Sequence, residues 1–457
     1  MAAFSSTGFA QEPWKFIVTC DSRGPNNGIN QVILSELVTE IKSQGVDFVM
    51  FSGDLVSGHT VRDPAIFESQ LRVWVEMMIP VYDAGIPVYV CRGNHELGDV
   101  WSNYPRPGTS PDPNDNNMIR WLNVFGNDSY PKQKLPDNGP ADEKFTTYSV
   151  THKNVFIAML DNYAGTRHDF QHKINQGWLD DQLAANTKPH IFLAGHEQAF
   201  RALHTDCLDY FPSKRDAFWT AIKNAGGRTY FCGHDHFYDH ARVDDGDGNP
   251  NNDIHQFIIG AAGAPPYTWS PPYEGNNSFY TVEQWNHAKG YGYVLVEIDG
   301  LKATLTWTQR HSNNLNFPGI YEPNEVWSYT ATPKPILLSP NGGENLSAAG
   351  NYTISWKKIE GNITDSVIIE YSLDNGQTWQ KIGSSPNTGW YEWDSLPHIN
   401  SNECLIRISD LNDKLITDIS DNVFSISKCR SKLKADLNGD CNVDILDFAI
   451  LADYWLK

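Results

Sequence analysis

Five short runs of apolar residues within the first 232 residues each end one or two residues before a glycine or an acidic residue. They cover residues 16–20, 48–51, 86–91, 191–194 and 229–232. Runs of this length between turn residues are typical of buried β-strands. The polar residues that follow them are Asp21, Gly53-Asp54, Gly93-Asn94-His95-Glu96, Gly195-His196 and Gly233-His234-Asp235-His236. Because α/β sheets carry their sites at the carboxyl ends of strands, these side chains predict a dinuclear metal site at one rim.

Segments with apolar residues at helical spacing lie between several of these runs. Apolar residues recur between Asn30 and Lys42 on one face, which predicts a helix that Gly45 ends in the left-handed conformation. Further helices are predicted over 67–78 and 177–185. A strand follows the first helix directly, so the chain is expected to begin with a right-handed βαβ unit.

Residues 257–260 and 293–298 predict strands of a second sheet, and 303–307 is expected to pair with the latter through the Asp299-Gly300 turn. We therefore expect an α/β domain over residues 1–332, in which two mixed sheets pack face to face with helices outside.

Two loop segments have a composition of their own. Gly98–Lys144 is rich in Pro, Asn, Asp and Gly, which favours either a functional rim or a surface excursion anchored by Trp121 to Phe125. Pro265–Pro272 is rich in Pro and aromatic residues. It could line a substrate cleft, although a packed surface loop is the simpler interpretation.

The pattern changes after a proline-containing linker at 331–335. Short alternating strands are predicted over 352–356, 366–372, 379–382, 404–408 and 423–426. They indicate a β-sandwich over residues 333–428, which resembles the immunoglobulin- or fibronectin-like accessory modules of secreted bacterial hydrolases. We find no catalytic pattern in it.

Oxygen-bearing side chains recur near the end of the chain with the spacing of an EF-hand loop: Asp436, Asn438, Asp440, Asn442, Asp444 and Asp447. Residues 429–457 resemble a single dockerin-type repeat and predict one bound Ca²⁺, a Cys429–Cys441 bridge and a cohesin-like or cell-surface partner. Cys441 replaces the usual turn glycine, and Asp447 replaces the bidentate glutamate. An acidic solvated turn is the alternative.

Composition narrows the function classes. The chain has 457 residues and a formal net charge of −20, which disfavours a nucleic-acid groove or an anionic membrane surface as the main partner. It contains no run of 18 apolar residues, so no membrane span is predicted. The small-residue start is compatible with the end of an export signal, which favours a secreted, periplasmic or bacterial cell-surface location.

Cys20, Cys91 and Cys232 are expected to be small buried residues rather than ligands.

The motif series resembles the calcineurin-like metallophosphoesterases, whose pattern is D-x-H, G-D, G-N-H-[DE], a later H and G-H-x-H. The resemblance implies a two-sheet α/β/β/α sandwich and two divalent ions of the Fe, Zn, Mn or Mg class. It implies that Asp54 bridges the ions, and it places the other ligands as follows: Asp21 and His236 on the first ion, Asn94, His196 and His234 on the second. His95 would face the phosphate or the leaving group while a bridging hydroxide attacks phosphorus.

Arg23 departs from that pattern, because it stands where the family has a metal-binding histidine. A guanidinium stays charged and does not ligate a metal. Three interpretations remain open: a weakened first metal site, bidentate contact with the substrate phosphate, or a degenerate and inactive site. A buried cation needs an anion, so we expect Arg23 to contact phosphate or a carboxylate of the site.

The resulting prediction is an exported phosphomonoesterase or phosphodiesterase that acts on a small phosphate ester. One alternative is a non-catalytic adhesion or scaffold protein with a degenerate first metal site. Another is a phosphotriesterase or nucleotide-specific hydrolase that uses the same residues.

Overall fold

The computed structural model describes residues 12–58, 63–97, 116–126, 134–163, 172–273, 279–333, 335–348, 350–358, 366–412, 414, 416–428, 437 and 445–455. The chain forms two compact units, Met1–Ala331 and Thr332–Lys457. Each unit is described by itself.

The first unit alternates strands and helices before it becomes all-β. In chain order its elements are β1 (Trp14–Thr19), β2 (Arg23–Asn26), α1 (Gln31–Gln44), β3 (Val49–Phe51), α2 (Pro64–Asp83), β4 (Val88–Val90), α3 (Asn116–Phe125), β5 (Tyr148–His152), β6 (Val155–Met159), α4 (Gln176–Ala185), β7 (His190–Ala194), α5 (Pro212–Asn224), β8 (Thr229–Cys232), β9 (Tyr238–Asp244), β10 (Ile254–Ile259), β11 (Thr281–Ala288), β12 (Gly292–Asp299), β13 (Lys302–Arg310) and β14 (Tyr321–Thr330).

These strands form two mixed sheets. The first has the order β14-β13-β12-β1-β3-β4, and the second has the order β11-β9-β10-β8-β7-β6-β5. The strands that precede the predicted site residues are parallel within each sheet: β1, β3 and β4 in the first, β7 and β8 in the second. Their carboxyl ends therefore meet at one edge of each sheet.

The two sheets share one apolar core. The ring of Phe16 in the first sheet packs edge-on against Phe192 in the second, with ring centroids 5.0 Å apart. Tyr238 of the second sheet stacks on Trp307 of the first, with ring centroids 4.2 Å apart. Residues of α1 and α2 complete this core, whereas α4 and α5 cover the second sheet through a separate apolar cluster. The two mixed sheets and the helices predicted from the sequence are present.

Helix α1 shows why the local prediction succeeds. Its buried residues are those of the predicted face, namely Ile33, Leu34, Leu37, Val38 and Ile41. The side chain of Asn30 accepts a hydrogen bond from the N–H of Ile33 and caps the amino end. Gly45 ends the helix with φ 61°, where a glycine has no Cβ to clash.

Strand placement corrects one prediction. Strand β10 lies in the second sheet beside β8, as expected, but β12 pairs antiparallel with β1 in the first sheet. The predicted hairpin between β12 and β13 is present, with Asp299 opposite Lys302. Apolar periodicity shows that a strand is buried, but it does not select the neighbour with which the strand pairs.

The segment predicted to be a loop between Gly98 and Lys144 contains a helix. The side chains of Trp121, Val124 and Phe125 in α3 are buried in the main core. The rings of Phe125 and Trp74 of α2 pack edge to face, with their centroids 6.3 Å apart. The anchor that the sequence suggested is therefore helical, because its apolar residues follow the spacing of one helix face. Residues 98–115 and 127–133 lie outside the described residues.

The second unit is rich in strands. They are β15 (Ile336–Ser339), β16 (Asn345–Ser347), β17 (Tyr352–Lys357), β18 (Ser366–Ser372), β19 (Gln380–Pro386), β20 (Trp390–Trp393), β21 (Ser401–Asp410), β22 (Thr417–Ile419) and β23 (Phe424–Ser427). One sheet has the order β15-β17-β20. The other has the order β16-β23-β21-β18-β19, with β22 paired to β21. Buried residues of both sheets form one cluster, which is consistent with a β-sandwich.

The chain ends in one short helix, α6 (Ile445–Trp455), whose apolar side chains are mostly exposed. Asp447 is buried, and its Oδ1 accepts a hydrogen bond from the N–H of Leu437 at 2.6 Å. The other five predicted calcium ligands and both cysteines of the predicted bridge lie outside the described residues: Asp436, Asn438, Asp440, Asn442, Asp444, Cys429 and Cys441. Among the helices of the described residues, none combines the length and the apolar character needed to span a bilayer.

Candidate metal centre

The predicted site residues meet where the strand ends of the two sheets come together. Asp21 follows β1, Asp54 follows β3, Asn94 follows β4, His196 follows β7 and the His234–His236 segment follows β8. Asp21, Asp54, His196, His234 and His236 are all buried. The structure therefore brings the six predicted metal ligands together, although they come from two different sheets.

Sharp backbone turns direct these side chains inward. Asp21, Asp54 and His234 have φ angles of 64°, 51° and 69°, a left-handed conformation that non-glycine residues seldom adopt. Hydrogen bonds hold the turns: the N–H of Asp21 donates to the carbonyl of Gly53 at 3.1 Å, and the N–H of His234 donates to Asp21 Oδ2 at 3.1 Å. Strained residues that the surroundings hold in place are common at functional sites.

The glycines of the motifs leave room for the carboxylates. A Cβ on Gly93 would lie 2.2 Å from Asp54 Oδ1, and a Cβ on Gly233 would lie 2.2 Å from Asp21 Oδ2. Both distances are far below a normal contact, so each motif needs glycine at that position.

Four ligand atoms converge on one side of Asp54. Asn94 Oδ1 lies 3.2 Å from His196 Nε2 and 3.2 Å from His234 Nδ1. Asp54 Oδ1 lies 3.4 Å from His196 Nε2. A carboxylate, an amide oxygen and two imidazoles form a suitable donor set for a divalent transition metal.

A second group of ligand atoms lies on the other side. Asp21, Asp54 and His236 each offer an atom within 4.8 Å of the others, and Asp21 Oδ1 lies 3.5 Å from His236 Nε2. Asp21 Oδ1 is buried and receives no hydrogen bond from the described residues. A buried carboxylate oxygen without a hydrogen bond is costly, so this group favours a positive charge beside it.

Backbone carbonyls orient two of the imidazoles. His196 Nδ1 lies 2.9 Å from the carbonyl of Ser52, and His236 Nδ1 lies 3.1 Å from the carbonyl of Pro265. A ring that donates through Nδ1 leaves Nε2 free to bind a metal, and metal-binding histidines are commonly held in this way.

Burial and neighbouring charges shift the pKa values of several residues in the cluster. Burial and then the charge of Asp21 raise the pKa of Asp54 to about 7, and burial lowers the pKa of His196 to about 4. Burial would also lower the pKa of His234, but its contact with Asp206 outweighs burial and raises that pKa to about 9. Two buried carboxylates beside a neutral His196 favour the binding of cations.

Arg23 lies inside this cluster. Its Nε lies 3.4 Å from Asp54 Oδ2, and its Nη2 lies 3.2 Å from His236 Nε2. The expected contact with a carboxylate of the site is therefore present. Arg23 Nη2 also donates to the hydroxyl of Tyr267 at 3.2 Å, and the Tyr267 ring stacks on His236 at 4.1 Å.

Tyr267 corrects the simpler interpretation of the Pro265–Pro272 segment. Through Tyr267 this segment forms one wall of the site instead of packing only as a surface loop. Composition alone did not distinguish the two possibilities, because rigid aromatic loops serve both purposes.

His95 is positioned by the same carboxylate. Its backbone N–H donates to Asp54 Oδ1 at 3.0 Å, and its Nε2 lies 3.7 Å from Asp54 Oδ2. The side chain is almost fully buried. Its imidazole therefore borders the cluster on the side that Arg23 also contacts.

Several supporting residues were not predicted. Asn162 Oδ1 accepts hydrogen bonds from the N–H groups of His196 at 2.7 Å and Glu197 at 3.0 Å, and Asp206 lies 3.4 Å from His234 Nε2. Glu96 accepts three backbone hydrogen bonds beneath the site. Of these, only Glu96 had a sequence signal, because it belongs to the Gly93–Glu96 motif.

The sulfur of Cys20, beside Asp21, lies within 4.8 Å of ligand atoms of Asp21 and His196, so these three residues are a further group that could hold an ion. The thiol of Cys20 donates to the carbonyls of Ser52 and Gly53, and burial raises its pKa well above the ordinary value. Cys20, Cys91 and Cys232 are free and buried. The prediction that they are small buried residues is confirmed.

Comparison with known families agrees with this geometry. A family model described as calcineurin-like phosphoesterase matches residues 29–238, a range that includes Asp54, Asn94, His95, His196 and the His234–His236 segment. Asp21 and Arg23 precede the matched range. The family is dinuclear and metal-dependent, and the match implies metal-dependent hydrolysis of phosphate esters. A search of curated proteins found no match.

Proposed function

We propose that the first unit hydrolyses a phosphate monoester or diester at the metal centre. The observation that carries the proposal is the convergence of two carboxylates, one amide and three imidazoles from five strand ends. Such a set binds divalent metals and forms phosphoryl-transfer sites. The calcineurin-like phosphoesterase match over residues 29–238 supports the same reaction class.

Each part of the cluster has a separate task. Asn94, His196 and His234 would hold a divalent ion together with Asp54 Oδ1, and Asp21 and His236 lie on the other side of Asp54. When bound, a divalent ion polarises the phosphoryl group and lowers the pKa of water. The residues orient the ester and exclude competing water, because nearly all of them are buried.

His95 is proposed as the residue that assists the leaving group. Its N–H bond to Asp54 fixes the main chain, and its Nε2 lies at the edge of the cluster, 3.7 Å from Asp54 Oδ2. From there a protonated imidazole can donate to the departing oxygen or stabilise its charge.

The proposal extends to the rest of the chain. We infer an exported protein in which a β-sandwich module follows the catalytic domain near residue 333. The tail from residue 429 would bind one Ca²⁺ and a cohesin-like or cell-surface partner. The strand-rich second unit and the EF-hand spacing of the tail support this organisation.

Turnover of two generic substrates tests the proposed reaction. Purified full-length protein is incubated with Mn²⁺ and either p-nitrophenyl phosphate or bis(p-nitrophenyl) phosphate. We expect hydrolysis of at least one substrate, and the preferred substrate distinguishes monoesterase from diesterase activity. The variant D54N should lose both Mn²⁺ and turnover, since its amide removes the shared charge while Asn still accepts the left-handed backbone conformation.

The control is D180N, because Asp180 is exposed on α4. It should retain native turnover and Mn²⁺ content. Absence of hydrolysis with Mn²⁺, Zn²⁺, Fe²⁺ and Mg²⁺ in turn would contradict the proposed reaction, as would native turnover in D54N.

A further inference from the structure

We propose that the guanidinium of Arg23 takes the place of the first of the two divalent ions. The centre would then hold a single tightly bound ion, on Asp54, Asn94, His196 and His234. This inference rests on the proposed function only in assigning the cluster to catalysis; the ion count can be measured without any substrate.

The contacts of Arg23 are with the atoms that a first ion would need. Arg23 Nε lies 3.4 Å from Asp54 Oδ2, and Arg23 Nη2 lies 3.2 Å from His236 Nε2. Asp54 and His236 are two of the three residues in the ligand group that Asp21 completes. A guanidinium against these atoms gives the buried carboxylate of Asp54 a positive charge that does not come from a metal.

The two sides of Asp54 are used differently. Its Oδ1 faces His196 Nε2 at 3.4 Å and belongs to the ligand group with Asn94 and His234. Its Oδ2 faces Arg23 and His95. An ion bound on the Oδ1 side would therefore leave Asp54 between two cations, one of which is part of the chain.

Arg23 is held in this position by contacts of both its side chain and its main chain. The Tyr267 hydroxyl accepts a hydrogen bond from Nη2 at 3.2 Å, and the Tyr267 ring is stacked on His236. Arg23 lies in β2, which folds back onto Ile29, and the N–H of the next residue, Gly24, donates to the carbonyl of Gly28 at 3.0 Å. These contacts favour a guanidinium that stays in the cluster when the other ion binds.

The substitution has a chemical consequence. The Arg23 side chain is 21% exposed, so part of its fork of N–H donors remains accessible to a phosphate oxygen. A guanidinium neutralises charge and orients phosphate, but it has no position at which to bind water as a metal does. An ion held by Asn94, His196 and His234 would therefore have to supply the activation of water, and Arg23 would act on the ester.

Metal stoichiometry tests the inference on the full chain. The protein is saturated with Mn²⁺ in excess Ca²⁺, which occupies the oxygen ligands of the tail, and is then dialysed exhaustively. We expect about one Mn²⁺ per native chain, with the electron paramagnetic resonance pattern of an isolated ion. The variant R23H should take up a second equivalent and give the pattern of an exchange-coupled pair.

Two further variants serve as controls. R407H adds a histidine in the second unit, where Arg407 pairs with Glu370, and should keep one equivalent. Y267F removes the hydroxyl that accepts from Arg23 but keeps the ring, and should also keep one equivalent, because Asp54 and His236 still hold the guanidinium.

The outcomes separate clearly. Two tightly bound Mn²⁺ ions in the native chain overturn the inference, whether or not R23H folds. A folded R23H that still binds one ion overturns it as well, since Arg23 would then not be what excludes the second ion. A native chain that binds one Mn²⁺ but hydrolyses no phosphate ester supports the inference and contradicts the proposed function instead.

Discussion

Glu96 is a buried carboxylate that joins the ends of two strands beneath the metal centre. Its Oε2 accepts hydrogen bonds from the N–H groups of Gly93 at 2.7 Å and Asp54 at 2.9 Å, and its Oε1 accepts one from Val56 at 3.2 Å. Burial and the charge of Asp54 raise the pKa of Glu96, and these three donors oppose that shift. We predict that Glu96 positions Asp54 for metal binding.

The magnitude follows from the number of bonds that each substitution removes. In E96Q the amide oxygen can keep the two bonds at Oε2, but its NH₂ group then faces the N–H of Val56. Leaving the buried N–H of Val56 without an acceptor costs about 2 kcal/mol, or about thirtyfold in a local opening equilibrium. In E96A three buried donors lose their acceptor, at about 1–3 kcal/mol each, so the loss is at least about a hundredfold.

Hydrogen exchange measures this effect locally, which is useful because the chain has two compact units and its unfolding need not be two-state. We expect the amides of Asp54, Val56 and Gly93 to exchange faster in E96Q by about thirtyfold, and faster still in E96A. Affinity for Mn²⁺ should fall by about 10- to 100-fold, the usual effect of removing a residue that positions a ligand.

The control for this experiment is E322Q. Glu322 is an exposed glutamate that pairs with His311 at the surface, so its substitution should leave these amides and the Mn²⁺ affinity unchanged. If the amides of Asp54 and Gly93 exchange in E96Q and E96A at the native rate, Glu96 does not hold the two strand ends, and the reasoning fails.

Three other predictions concern separate parts of the chain. H95A should retain Mn²⁺ and lose about 10²–10⁴ in turnover, the range for a positioned proton-transfer group, and native turnover would contradict the role given to His95. Burial raises the pKa of Glu143 to about 7. The folded chain therefore binds more protons than the unfolded chain between pH 4.5 and about 7. The contribution of Glu143 to stability falls as pH rises through that interval. E143Q should flatten this part of the pH profile of thermal unfolding, and an unchanged profile would show that Glu143 does not cause the slope. Truncation after Lys428 should leave turnover unchanged and remove one bound Ca²⁺; unchanged calcium content would place the site elsewhere.

The sequence located the strands that carry the site because burial of a short strand is a local pattern. Strand β8 has the predicted bounds, and β7 begins one residue earlier than predicted. The turns after β4 and β8 were also recognisable in the sequence, because each contains a glycine. The structure explains why: a Cβ on Gly93 or Gly233 would collide with a carboxylate. A glycine next to a ligand residue is thus a direct consequence of how closely the strand ends approach.

Long-range pairing was not predictable in the same way. Strand β12 resembles β10 in its apolar character, yet it pairs with β1, from which it is separated by more than 270 residues. Both positions bury the strand equally well, so the apolar pattern is the same in either case. Only the packing of the whole domain distinguishes them.

The supporting residues of the site were missed for a related reason. Asn162 and Asp206 lie in loops, where neither helical nor strand periodicity constrains the sequence. Each acts on a partner far away in the chain: Asn162 on His196, for example, across 34 residues. A single sequence contains the residue types but not the distances that make them useful.

Arg23 shows what electrostatics adds to sequence pattern. The sequence placed a permanent cation beside carboxylates, and the cost of an unpaired buried charge required an anion for it. Phosphate, Asp21 and Asp54 were all available, and the structure pairs Arg23 with Asp54 Oδ2. Because burial and Asp21 raise the pKa of Asp54 whereas Arg23 lowers it, the guanidinium helps to keep Asp54 ionised. A residue that cannot bind a metal therefore helps to maintain the charge on the carboxylate that we propose as a metal ligand.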